Sequence, residues 1–247
     1  MNMNKEIKAC YSKNSLPMLA EPKNVRVKFR KTGNLQYISH LDLQRTLHRI
    51  IVRAGIPVWY TKGFNPHAKI VFSTPLSIGA ESECEMVDIR IDREMSCEKI
   101  KELLNDQVTD ELRILDVYFP QTKFSDIVWA SYEIELHGYD ISQESAQKIN
   151  NFVSKDTIMA TKKTKSGDKE TNIAKMIKQF NTEFDENCGN IKISAVLNVN
   201  GENYLNPELL LSVIFENCSI MQGKDDEKWY SIIRTSSFFE DGVTVFR

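Results

Sequence analysis

The chain lacks any uninterrupted apolar run of the roughly 18 residues that a membrane helix needs, so no membrane span is expected. Its first residues, MNMNKEIKACYSKNSLPMLAEPKN, lack the apolar core of a secretory leader, so none is expected there either. Cysteine is scarce and scattered: Cys10, Cys84, Cys97, Cys188 and Cys218 are five, an odd number, with no C-x-x-C pair. That excludes a disulfide framework, a four-cysteine zinc site and the cysteine motif of an iron–sulfur cluster. There is no H-x-x-x-H with partners, and no G-x-x-x-x-G-K-[ST], G-x-G-x-x-G or G-x-S-x-G. Metalloprotease, P-loop, dinucleotide-binding and serine-hydrolase chemistry are thereby unsupported. A soluble, cytoplasmic protein with reduced thiols and no metal or cofactor of its own is the expectation.

What the chain has is charge, unevenly spread. The net charge is only −2. Yet between Pro22 and Ala80 stand ten bases (Lys23, Arg26, Lys28, Arg30, Lys31, Arg45, Arg49, Arg53, Lys62 and Lys69) against one acid, Asp42. Residues 81–120 reverse this, with twelve acids against five bases. A division this sharp produces a local positive field in a nearly neutral protein. The bases recur over strand, helix and loop, which favours a polyanion partner, RNA first, over an ordinary solvated face.

With 247 residues there is room for two domains of roughly 100–120 residues each. Residues 1–23 read as a flexible, polar lead-in. Val25, Val27 and Phe29 alternate with Arg26, Lys28 and Arg30, which predicts a half-buried strand with its basic side in solvent. Ser39 and Asp42 suggest a capping box, and Leu43, Leu47, Ile50, Ile51 and Ala54 form one helical face closed by Gly55 and Pro57. A short strand at 58–60, a loop at 62–68, an extended segment at 69–73, a strand at 84–91, a helix capped by Ser96 and a strand at 112–119 follow. The order is β-α-β-β-α-β, the ferredoxin-like arrangement. Strands at 128–136, 157–161, 191–199 and 229–235, with helices after Ser142 and from Pro207, suggest a second copy. KKTKSGDKE (162–170) reads as a polar loop or hairpin tip. Ile173, Met176, Ile177 and Phe180 have helical spacing in an otherwise ambiguous stretch, 171–190. The expected fold is α+β: two tandem ferredoxin-like units with antiparallel sheets, at 24–121 and 122–247.

Arg45, Arg49 and Arg53 recur at one-turn spacing and make a stripe that can follow phosphates. Like charges at i,i+4 repel, and only Asp42 is near enough to offset one of them. Lys62, Phe64, His67 and Lys69 belong to KGFNPHAKIVFS. This begins like an RNA-recognition motif but departs from it, because Asn65-Pro66 cannot continue a central strand. Phe64 and Tyr60 suit base stacking, or core packing. The expected nucleic-acid contacts are therefore Arg26, Lys28, Arg30, Arg45, Arg49, Arg53, Lys62, Phe64, His67 and Lys69. His40, His48 and His67 are the candidates for acid–base catalysis. The plainer reading, a helix-start residue at His40 and a surface residue at His48, is preferred. Glu81, Glu83 and Glu85 alternate and could gather a cation, but read more simply as the solvent side of a strand.

Three segments, Gly33–Asp42 (GNLQYISHLD), Gly63–His67 (GFNPH) and Pro75–Glu83 (PLSIGAESE), followed by Asp88, resemble the radical-SAM-linked family of unknown function. Leu205–Leu210 (LNPELL) and Ile233–Thr235 fit more loosely. In that family the domain occurs alone or fused behind a radical-SAM enzyme. Its genes often neighbour a ribonuclease of the E/G type and large-subunit ribosomal proteins. The resemblance implies an RNA-binding accessory protein acting with a separate radical-SAM enzyme in ribosomal or transfer RNA modification or processing. The iron–sulfur cluster and S-adenosylmethionine would belong to that partner. Two alternatives stay open: a metal-independent endoribonuclease, which tandem ferredoxin-like units would share in architecture with CRISPR repeat-processing enzymes, and a protein-interaction module without RNA contact.

Overall fold

The computed structural model describes residues 16–164, 167–222 and 228–247. Most of the expected lead-in (1–15), and Lys165 and Ser166 of the expected hairpin tip, lie outside the described residues. The chain divides into two compact units that interleave along the sequence. Hydrogen bonding joins eight strands into one large, mostly antiparallel sheet, and four α-helices accompany it among the described residues.

The first unit holds residues up to Phe29, Leu41–Phe72 and Met86–Pro120. Its elements are drawn from β1 (Met18–Lys31), α1 (His40–Arg53), β2 (Ile70–Phe72), β3 (Ala80–Arg93), α2 (Cys97–Asn105) and β4 (Ile114–Tyr118). β1 starts earlier than the alternation from Val25 suggests. The strand order is β4-β1-β3, with β2 paired antiparallel to β3. Val25, Val27 and Phe29 are buried as expected, but Arg26 is not on a solvent side. It is fully buried and forks onto Asp88, Nε to Oδ1 at 2.7 Å and an Nη to Oδ2 at 2.9 Å. A guanidinium is tolerated there because a bidentate carboxylate neutralises it.

α1 forms where the apolar period predicts. Leu43, Leu47, Ile50 and Ile51 face the core. Its end is a Schellman motif: Gly55 sits at φ 72°, its N–H donates to Val52 O at 3.1 Å, and Ile56 N–H donates to Ile51 O at 3.2 Å. At α2, Ser96 Oγ accepts from Lys99 N at 3.2 Å. The expected strand at 58–60 reduces to isolated bridges, Val58 to Ile91 and Tyr60 to Ala68.

The second unit holds Arg30–His40, Ser73–Glu85 and Gln121–Arg247. It contains β5 (Trp129–His137), α3 (Gln143–Val153), β6 (Met159–Thr164), β7 (Gly167–Asn172), β8 (Ile177–Asp185), β9 (Asn190–Asn198), α4 (Pro207–Cys218) and β10 (Trp229–Phe238). The strand order β10-β5-β9-β8 is antiparallel throughout. β10 also pairs in parallel with Ala80–Ser82, the start of β3. Ser142 and Asn206 cap α3 and α4 through Ser145 N and Glu208 N. β6 and β7 form a separate hairpin. The helical spacing at 173–180 is misleading. Ile173 and Met176 are buried around a 3-10 turn, and the chain then enters β8, where pairing with β9 prevails over the local pattern.

The β8–β9 turn carries a titratable clamp. Asp185 accepts from Lys192 Nζ at 2.8 Å and from the Asn187 and Cys188 amides at 3.0 and 3.3 Å. Lys192 and these amides hold its pKa down at about 2. The folded value lies below the unfolded one, so the clamp's contribution is complete at neutral pH and is lost as pH falls from about 4 towards 2. The Asn187 and Cys188 amide NMR signals are expected to titrate with a midpoint near 2 in the native chain and to stop titrating there in Asp185→Asn. A native midpoint at the ordinary carboxylate value would contradict this geometry.

Candidate nucleic-acid interface

α1 buries one side and leaves Leu41, Arg45, His48 and Arg49 exposed, with Gln44 half-buried. These residues lie at i,i+3 and i,i+4 steps, so they share a face. Opposite that face run Ala68, Ile70 and Phe72, the last two belonging to β2. Between them is a groove of about 320 Å³, lined on the helix side by two guanidiniums, an imidazole and an amide, and on the strand side by apolar groups. Arg45 reaches Asp42 at 3.4 Å, with both side chains more than half exposed, so that pair contributes little. Among the described residues Arg49 has no ion-pair partner. Arg53, expected to continue the stripe, does not line the groove; its guanidinium donates to Gln107 O at 3.3 Å.

The loop between Tyr60 and Ala68 is tied at its base. Thr61 N donates to His67 O at 3.0 Å, and His67 N donates to Thr61 Oγ1 at 3.1 Å. The His67 ring also engages Thr61 through Nδ1, at 3.1 Å from Oγ1. Gly63, at φ 147°, allows the tip to turn. Phe64 is fully exposed, so of its two readings core packing is excluded. Lys62 and Lys69 are exposed on either side. Tyr60 is exposed to 38%, and Trp59 is covered by the Arg90 guanidinium at 4.9 Å.

Seven of the ten expected contact residues thus stand on α1 and the loop–β2 segment that follows it: Arg45, Arg49, Arg53, Lys62, Phe64, His67 and Lys69. Lys28 and Arg30 are half-buried on β1, and Arg26 is withdrawn into its ion pair. The three candidate histidines do not form a set. His40 and His48 are two turns apart, about 12 Å along the helix axis, and His67 is committed to Thr61. What sequence reasoning missed is the apolar part of the groove, Leu41 on the helix and Ala68, Ile70 and Phe72 opposite it. The extended reading of 69–73 was its available signal, and it does not say what that segment faces.

A second polar cluster lies in the other unit, and corrects the reading of the acidic alternation. Glu83 is exposed, but Glu85 is buried and paired with the buried Arg234, and Glu81 Oε1 accepts from Gly33 N at 2.8 Å. Arg234 also donates to Thr74 Oγ1 at 3.0 Å, Thr74 O at 3.1 Å and Pro75 O at 3.2 Å, which pins the segment before Gly79. Burial opposes its charge, but Glu85 beside it holds its pKa above the ordinary arginine value. Burial likewise pushes the Tyr132 phenol and the Cys84 thiol up and the nearby Lys31 ammonium down. Cys84 is therefore a packing residue rather than a reactive one. No group of three or more His, Cys, Asp or Glu among the described residues could hold a metal. No helix among them is long and apolar enough to cross a membrane.

Fold and groove together define an α+β protein with a large, mostly antiparallel sheet and a basic, apolar-floored cleft on its first long helix. The chain belongs to the bacterial family described as "Uncharacterized protein conserved in bacteria (DUF2344)", whose model matches residues 24–207. No curated protein matches it. The crystal structure of an unknown protein from Galdieria sulphuraria is similar at 10% identity over 87% of this chain and 99% of the other, with a TM-score of 0.26. A likeness that slight carries no argument.

Proposed function

We propose that the α1–β2 groove and the 61–68 loop form an RNA-binding surface, and that the protein serves as an accessory to a separate radical-SAM enzyme acting on ribosomal or transfer RNA. The observation that carries the RNA half is the pairing of Arg45 and Arg49 on one rim of the groove, within a segment (40–72) holding five bases and one acid. The enzyme half rests on the resemblance of Gly33–Asp42, Gly63–His67 and Pro75–Glu83 to the radical-SAM-linked family. With its five scattered cysteines this chain offers no motif for an iron–sulfur cluster, so the cluster and S-adenosylmethionine would sit on the partner. The strand orders β4-β1-β3-β2 and β10-β5-β9-β8 support reading both units as ferredoxin-like, the second with the β6–β7 hairpin inserted.

Fluorescence anisotropy with labelled RNA at a series of salt concentrations tests the RNA half. Affinity is expected to fall linearly in log–log form as salt rises, with a slope of about −0.7 per phosphate contacted on a single strand. Absence of any RNA binding at low salt, with a protein partner retained after nuclease treatment, would favour the interaction-module reading. His48 lines the groove, which keeps the endoribonuclease reading specific. RNA cleavage in chelator that disappears in His48→Ala would establish it instead.

A further inference from the structure

The groove and the loop differ in what they offer, and the difference bears on the shape of the RNA. We infer that the α1–β2 groove takes one unpaired nucleotide, its base against Ile70 and Phe72 and its flanking phosphates on Arg45 and Arg49, while Phe64 stacks on a neighbouring base. The ligand class is thus looped or single-stranded RNA, not a continuous duplex. This rests on the RNA reading given above and narrows it.

Three observations carry it. The groove, at about 320 Å³, is at the small end of ligand pockets, which suits one nucleotide rather than a stacked segment. Its lining is divided as a nucleotide is divided. Arg45 and Arg49 stand one helical turn apart, with Cβ atoms about 5–6 Å from each other, so they can hold the phosphates on either side of one sugar. The opposite wall, Ala68, Ile70 and Phe72, has no charge and suits the face of a base. An A-form duplex turns base edges, 2′-hydroxyls and phosphates outward but keeps its base faces stacked, and would offer that wall no base face to cover it. Finally, Phe64 is fully exposed at the tip of a loop whose base is tied by Thr61 and His67. An aromatic ring held out in this way, with Lys62 beside it, is of use to a base that is free to stack.

The test uses the full chain and two RNA hairpins of equal length that carry 2-aminopurine in the loop or in the stem, with a blunt duplex as the third probe. The loop hairpin is expected to bind about tenfold more tightly than the duplex, the order that one stacked base supplies. Its 2-aminopurine is expected to become sheltered from acrylamide quenching on binding, and the stem probe is not. Phe64→Ala, at a side chain with nothing to unpack, should reduce this preference without changing the salt slope. Ala68→Phe, which fills the groove while keeping both arginines, should abolish the sheltering. Binding of loop and duplex with equal affinity would overturn the inference while leaving the RNA reading intact, whereas no binding to any probe would overturn the RNA reading itself. Displacement of the loop hairpin by poly-glutamate as effective as by unlabelled RNA would show that the groove reads charge alone, and would also overturn it. The acrylamide experiment on the native protein decides the matter should Ala68→Phe fail to fold.

Discussion

Arg234→Ala is expected to destabilise the protein by about 3–5 kcal/mol, the cost of leaving a buried charge without its counter-ion. Arg234 and Glu85 are both buried, and three of the guanidinium's hydrogen bonds go to Thr74 and Pro75. Removing the arginine takes from Glu85 its direct ion-pair partner, leaving it only the buried Lys31 ammonium nearby, and frees the segment it pins. In urea the midpoint of the transition reporting on this unit should fall by about 1–2 M. Replacing both partners, Arg234→Met with Glu85→Leu, should recover most of the loss, because the expensive condition is one charge alone rather than none. A single variant as stable as the native chain would show that the pair contributes nothing.

The second large effect concerns binding and not stability. Arg45→Ala, Arg49→Ala and Arg53→Ala together should weaken RNA binding by about a hundredfold at low salt and reduce the salt slope by about two. The fold should survive. Arg45, Arg49 and Arg53 are exposed, like charges at i,i+4 repel, and alanine is the best helix former. Thermal melting should therefore be unchanged or slightly raised in the triple variant, so any loss of binding is attributable to the surface. Tight binding that survives both the substitutions and high salt would dismiss this face as the interface. Since Arg53 lies outside the groove and touches Gln107, its single replacement should have the smallest effect of the three.

Much of this site was legible in the chain because its signals are local. The limits of α1 follow from its apolar period, Gly55 and Pro57, and the arginine stripe follows from counting along the same helix. Ser96, Ser142 and Pro207 announced helix starts for the same reason. What could not be read depends on partners distant in sequence. Arg26 looked like a solvent-facing base because its neutralising Asp88 is 62 residues away. Glu85 looked like part of an acidic edge because Arg234 is 149 residues away. The apolar wall of the groove required β2 to be set against α1, which no period in either segment specifies. The 173–180 stretch failed differently: a 3-10 turn buries Ile173 and Met176 at a spacing that imitates a helix.

The interleaving of the two units along the chain has a consequence for how the polypeptide must be made. β3 is one strand whose first residues, Ala80–Ser82, pair with β10 in the second unit, while its later residues, from Met86, belong to the first. A polypeptide ending at Pro120 would carry off Arg30–His40 and Ser73–Glu85, and the remainder would be synthesised without Glu85, leaving Arg234 with no counter-ion. On a ribosome, the second unit therefore cannot finish folding as a late, independent module. It has to wait for β10 to emerge and meet residues made more than a hundred positions earlier.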